Sequence, residues 1–143
     1  MKQLLLSFSF VFFCVSAFAQ KADDIIGIWA SNDVNVRVEV YKDGAYYKGK
    51  IVYLKDPKDA SGKPKTDIKN HDPKLRSRPM MGLVILEHLE YHDGEWIHGK
   101  IYDAESGGHY RCYASMANKN ELTIRAYMGF SLFGKTVDWY RLK

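Results

Sequence analysis

The chain has 143 residues, 46% of them hydrophobic and 14% aromatic, with a formal net charge of +4. That is one domain with enough apolar surface to form a core, which sets aside disordered chains and disulfide scaffolds. Bases and acids alternate (Lys42, Asp43, Lys48, Lys50, Lys55, Asp56, Lys58, Asp59) rather than cluster, which argues against a nucleic-acid stripe.

Residues 1–19 read as a cleavable export signal. Lys2 supplies the positive start, Leu4 to Phe13 the apolar stretch, and Ala17-Phe18-Ala19 a small-x-small cleavage site. Cleavage leaves Gln20 at the start of a single domain, 20–143. The apolar run is shorter than the roughly twenty residues of a membrane span, so no stable span is expected after cleavage. Cys14 follows Phe12-Phe13 rather than small residues, which weighs against a lipoprotein signal. Cys112 is then the only cysteine, and no internal disulfide is expected. It reads as a small buried apolar residue. The expected location is the periplasm or the outside of the cell.

The first strand is expected over Ile25-Ile26-Gly27-Ile28-Trp29. Next, Val34, Val36, Val38 and Val40 alternate with Asn35, Arg37, Glu39 and Tyr41, the period of a strand with one apolar face. Asp43-Gly44 predicts a two-residue hairpin turn. Counting across it places Val40 opposite Tyr47, Val38 opposite Gly49 and Val36 opposite Ile51. The other face then carries Glu39 beside Lys48 and Tyr41 beside Tyr46. The stretch 55–79 holds all four prolines and few apolar residues, and reads as a long loop. Asn70 and Asp72-Pro73 predict local turns within it.

A strand follows from Gly82 to Tyr91. The Asp93-Gly94 turn then pairs Tyr91 with Trp96, Leu89 with His98 and His88 with Gly99. Further strands are expected over Trp96–Tyr102, His109–Met116 and Leu122–Met128. The glycine-bracketed segment Gly129-Phe130-Ser131-Leu132-Phe133-Gly134 leads into a last strand with Val137, Trp139 and Arg141 on one face. Short strands joined by regular turns predict an all-β fold. Sequential hairpins favour a single closed or nearly closed antiparallel up-and-down barrel of about eight strands, wide enough for packed side chains or one small ligand. Closure would bring Gly27 and Trp29 against Trp139 and Arg141 and remove exposed edges.

No metal or other cofactor is expected. His88 and His92 fall on one face and His98 on the other, no cysteine pair helps, and no Gly-x-Ser-x-Gly or phosphate loop is present. Arg141 reads as a lid over the barrel floor that stacks on Trp29 or Trp139, or as an anion anchor, with the lid favoured. Tyr102, Asp103, Arg125, Tyr127, Arg76 and Arg78 are the candidate ligand-binding residues.

Several stretches together carry a resemblance. They are Gly27-Ile28-Trp29, Asn70-His71-Asp72-Pro73, Arg76-Ser77-Arg78-Pro79, Met81-Gly82-Leu83, Gly99-Lys100-Ile101-Tyr102-Asp103, Gly107 with Tyr110, Arg125-Ala126-Tyr127-Met128-Gly129, Leu132-Phe133-Gly134-Lys135-Thr136 and Trp139-Tyr140-Arg141. The chain resembles the bacterial family called domain of unknown function 2147, small exported proteins. One departure is Ala104, where the family is expected to have proline. The resemblance implies a lipocalin-like, calycin-like barrel with no assigned activity. Gly27-Ile28-Trp29 looks like the first-strand lipocalin motif, and Arg141 like the basic residue that covers its tryptophan. The second motif has no good counterpart, since Thr66-Asp67 continues with Ile68.

Three functional readings follow. The first is an exported barrel that binds a small apolar or amphiphilic molecule. The second is a packed barrel that acts as an envelope interaction module, with Asn70 to Gly82 as the contact loop. The third is an enzyme on envelope material, with Tyr102, Asp103 and Arg125 converging in a mouth. It lacks a motif, so an enzyme is the less favoured reading.

Overall fold

A computed structural model describes residues 21–130 and 134–143. The export signal with Cys14, the cleavage site, and Ser131-Leu132-Phe133 lie outside the described residues. Eight strands form one closed antiparallel barrel in chain order: β1 (Gly27–Ala30), β2 (Val36–Asp43), β3 (Tyr46–Leu54), β4 (Val84–His92), β5 (Glu95–Asp103), β6 (Gly108–Asn118), β7 (Glu121–Tyr127) and β8 (Gly134–Arg141). The ring closes where Trp29 stands opposite Arg141 and Ala30 opposite Tyr140. Leu142 N–H adds a bond to Ile28 O at 2.8 Å. Every strand thus has two neighbours, and no edge is left to template another chain. Among the described residues no helix is long and apolar enough to cross a membrane.

The valine face of β2 points inward, as its alternation predicts, with Val38 and Val40 buried. The hairpin register differs from the count made on Asp43-Gly44. The turn residues are Gly44-Ala45, with Gly44 at φ 62°, so Val40 faces Gly49 and Val38 faces Ile51. Val38 and Val40 thus slide two residues along β3, which leaves the same side chains inside because the strand period is two. Val36 slides three, to Leu54, across an irregularity between Arg37 and Val38. The outer pairs change as well. Glu39 meets Lys50, at 3.1 Å, rather than Lys48, and Tyr41 lies opposite Lys48 rather than Tyr46. Val34 also departs from expectation. It sits in the β1–β2 turn at φ 52°, exposed, so the inward alternation begins at Val36.

The β4–β5 hairpin keeps its predicted register at both ends, Tyr91 opposite Trp96 and Glu87 opposite Lys100. Between them His88 and His98 adopt left-handed backbones, φ 59° and 61°. Each lets the alternation slip by one, so Leu86 and Leu89 both point inward although three residues apart, as do Trp96 and Gly99. Gly99 is required there, since a Cβ would press on the Leu89 side chain and on Cys112 Sγ at 2.7 Å. The slips also leave His88, His92 and His98 all exposed, instead of divided between two faces. Among the described residues no three of His, Cys, Asp or Glu gather as a metal site.

Ile25, expected to begin the first strand, instead ends a single 3-10 turn, Ala22–Ile25, and β1 starts at Gly27. This turn plugs one end of the barrel. Trp29 Nε1 donates to Ile25 O at 2.9 Å, Trp96 Nε1 to Ala22 O at 3.0 Å, and Tyr47 OH to Asp23 Oδ1 at 2.5 Å. Beneath the plug lies the main core, with Trp29, Val40, Tyr47, Leu89, Trp96, Met116, Leu122 and Trp139 all buried. A smaller cluster of Ile51, Leu83 and Tyr102 lies toward the other end.

Candidate functional site

The two ends are built differently. At the plugged end, Arg141 Nη2 donates to Asp24 O at 2.5 Å, Nη1 to Ile26 O at 2.7 Å and Nε to Lys119 O at 2.7 Å. Its guanidinium carbon lies 4.2 Å from the Trp29 ring centre, a cation–π contact. Burial pulls this guanidinium below its ordinary range, with Asp24 opposing the shift. Gly27 makes the approach possible, because a Cβ there would collide with Arg141 Nη1. Arg141, an end-closing residue, therefore has its donors spent on backbone carbonyls.

The opposite end holds a cavity of about 1070 Å³. Trp29 and Trp139 form its floor and Val36, Val38, Ile51, Leu54, Ile85 and Val137 its walls. The rim is polar: Lys55, Asp56, Asp59, Lys65 and Thr66 come from the long loop, and Asp103 and Glu105 from the β5–β6 turn. Apolar depth under a charged rim suits a molecule with one greasy and one polar end. The barrel is therefore packed in one half and hollow in the other.

The long loop, expected to hold local turns at Asn70 and Asp72-Pro73, has those turns and further structure of its own. Asp59 Oδ1 accepts from the backbone N–H groups of Ser61 and Lys63, and Lys58 bridges to Pro64. Thr66 bridges to Pro79, which pulls the two limbs of the loop together. Asp72 caps the short 3-10 turn Pro73–Leu75 by accepting from Lys74 N–H at 3.0 Å. Proline at the first position of that turn costs no hydrogen bond.

Asp67 ties this loop to the barrel. Its carboxylate is fully buried and accepts from Tyr102 OH at 2.5 Å, Asn70 Nδ2 at 2.8 Å and Arg78 Nε at 2.8 Å. Burial alone would raise its proton affinity, but the three donors, led by Tyr102, hold the carboxyl below its ordinary range. Tyr102 is correspondingly raised, first by burial and then by the Asp67 contact. Asn70 also donates to Tyr102 OH at 3.1 Å, and Arg78 lies over the Tyr102 ring at 5.5 Å. Gly107 adds a second anchor. It takes φ 76°, and a Cβ would collide with Lys69 O, so the loop backbone lies directly on the β5–β6 turn.

These contacts place the six candidate ligand-binding residues in three settings. Tyr102 and Asp103 line the cavity. Arg78 and Arg76 hold the loop, Arg76 through Nε to Asn70 O at 2.7 Å. Arg78 faces a separate outer groove of about 360 Å³ beside Met81, Lys100 and His109. Arg125 and Tyr127 lie on the outer face of β7, since the alternating residues Leu122 and Ile124 before them point inward and are fully buried. Arg125 donates to Thr136 Oγ1 at 3.1 Å on β8, and the Tyr127 ring lies 6.3 Å from that of Tyr113. The structure therefore does not bring Arg125 to Tyr102 and Asp103, and the three do not form one mouth. Burial pushes the Cys112 thiol up to about 12, which leaves it an inert core residue.

Sequence reasoning missed Asp67 and Asn70 as anchors. Both lie among loop charges with no period to distinguish them. It also missed Val36, Ile51 and Ile85 as cavity walls, although the inward face of β2 and β3 was legible.

Residues 27–141 match the bacterial family described as "Uncharacterized protein conserved in bacteria (DUF2147)". Among solved structures, one described as "Protein HP1028 from the human pathogen Helicobacter pylori belongs to the lipocalin family" is similar, with a TM-score of 0.71. The two are 24% identical over 82% of each chain, a likeness of fold. No curated protein matches.

Proposed function

The chain belongs to the DUF2147 family of bacterial proteins, and from that premise we propose that it is an exported, lipocalin-like barrel that binds one small, partly apolar molecule in its hollow half. The observation that supports this most is the cavity of about 1070 Å³ with a tryptophan floor and aliphatic walls beneath a charged rim. A chain or ring system enters against the aliphatic walls and Trp139, and the polar group stays at the rim near Asp103, Lys55 and Lys65. Tyr102 stands on the boundary, its hydroxyl engaged by Asp67 and its ring available to the guest.

Native mass spectrometry of protein taken from the envelope of its own cells tests both parts. The expected result is a retained mass, and saturable quenching of tryptophan emission when the emptied protein is titrated with a fluorescent fatty acid. Filling the cavity by Ile85→Trp should weaken that titration at least tenfold while the far-ultraviolet spectrum stays that of a barrel. No retained mass, together with no saturable quenching, overturns the reading. For export, deleting residues 2–19 should leave the protein in the cytoplasmic fraction; unchanged fractionation removes that part.

A further inference from the structure

The mouth end differs from the plugged end in what it shows to solvent. Among the described residues the most exposed large apolar side chains are Phe130 at 77%, Met128 at 67%, Ile68 at 66% and Met81 at 45%. All four lie on connections at the mouth end. Ile68 and Met81 come from the β3–β4 connection, Met128 and Phe130 from the β7–β8 connection. Isolated exposed apolar residues are ordinary, but a group confined to one end of a molecule marks a contact surface.

Charge is distributed the same way. Residues 55–79 carry eight lysines and arginines and four aspartates, a net of +4 equal to that of the whole chain. One of those aspartates, Asp67, is buried against Arg78 and presents no charge outward. Nearby Asp33 and Glu105 on mouth connections, with Asp103 at the end of β5 and Lys135 at the start of β8, reduce the excess without reversing it. The opposite end carries Asp43, Asp93, Glu95 and Glu121 on its hairpins against Lys42, Lys48 and Lys119, so acids and bases nearly balance there and no basic excess is left.

We propose that the mouth end docks on the surface of an anionic lipid bilayer, with Phe130, Met128 and Ile68 entering the headgroup boundary. The lysines of the loop, Lys58, Lys63, Lys65 and Lys69 among them, then face lipid phosphates. Apolar insertion and attraction to anionic headgroups act together in such binding. A bilayer fits better than a protein groove. The tips rise from two separate connections, and a fluid surface asks only that they share a side. The docking goes beyond the cavity reading and does not need a bound guest.

Co-sedimentation with vesicles tests it. The mature chain, residues 20–143, should sediment with vesicles of mixed phosphatidylglycerol and phosphatidylcholine, weakly with phosphatidylcholine alone, and less at high salt, because surface charge is screened. Phe130→Ser should lower the partition coefficient roughly tenfold, about what burial of one large apolar side chain supplies. Ile68→Ser, Met128→Ser and Phe130→Ser together should abolish it. These side chains are exposed, so near-ultraviolet spectra should be unchanged. No binding to anionic vesicles overturns the proposal. So does binding that the triple variant leaves intact, or capture of a protein partner without any vesicle binding.

Discussion

Each end of the barrel is organised around one charged group, a half-buried arginine at one and a fully buried carboxylate at the other, and the two groups are satisfied in different ways. At the plugged end Arg141 donates to the backbone carbonyls of Asp24, Ile26 and Lys119 and stacks on Trp29. At the mouth Asp67 accepts from three side chains, Tyr102, Asn70 and Arg78. Backbone carbonyls do not titrate in the physiological range, and arginine keeps its proton. The plugged end is therefore a permanent closure. The mouth is held by a carboxylate, whose charge acid can remove. The lesson is that a barrel can seal one end with a group that never changes state and fasten the other with one that can.

The largest test breaks the permanent end. Arg141→Ala should lower global stability by about 3 kcal/mol, since it strips several charged hydrogen bonds and the cover from Trp29. Denaturant midpoints measure this. Arg141→Lys should recover only part, because an ammonium cannot reproduce the planar fork.

Breaking the mouth should act locally. Asp67→Asn should cost about 2 kcal/mol, expressed mainly in the loop. Amide exchange should accelerate over 66–83 while the strands around Trp96 and Leu122 stay protected. Equal acceleration throughout would show that the two ends are not separable.

Acid sharpens the contrast further. The folded value of Asp67 is lowered, so its contribution is complete above the ordinary carboxyl value near pH ~4. It declines as pH falls below that, and is lost once pH passes the lowered folded value. Loop exchange should rise over that range before the barrel opens, and Asp67→Asn should not show the step. Exposed Asp23, held low first by Tyr47 and then by Lys42, gives the plugged end only a surface pair for acid to reach. The smallest effect is expected for Tyr102→Phe, about 1 kcal/mol in loop opening, since Asn70 and Arg78 remain on the carboxylate.

The walls were more legible than the mouth. The valines of β2, the Asp93-Gly94 turn and the alternation of Leu122 and Ile124 are local signals with fixed periods. Even the misplaced Gly44 turn kept the correct side chains inside, because an even shift preserves the face. The slips at His88 and His98 were not legible, since histidine takes a left-handed backbone more often than most residues yet still only rarely, and no neighbour marks these two. Asp67 was invisible for a different reason. Its donors lie 3, 11 and 35 residues away, and only the closed sheet brings Tyr102 beneath the loop.

By itself the sequence determined the all-β class and the up-and-down order, because strand period and turn chemistry are properties of neighbouring residues, and the meeting of β1 with β8 followed from the need of such a sheet to remove its edges. The tertiary structure decided which half of the barrel is hollow, which carboxylate fastens the loop and which apolar tips share one end. Those depend on groups far apart in the chain coming within a few ångströms, and no local pattern records that distance.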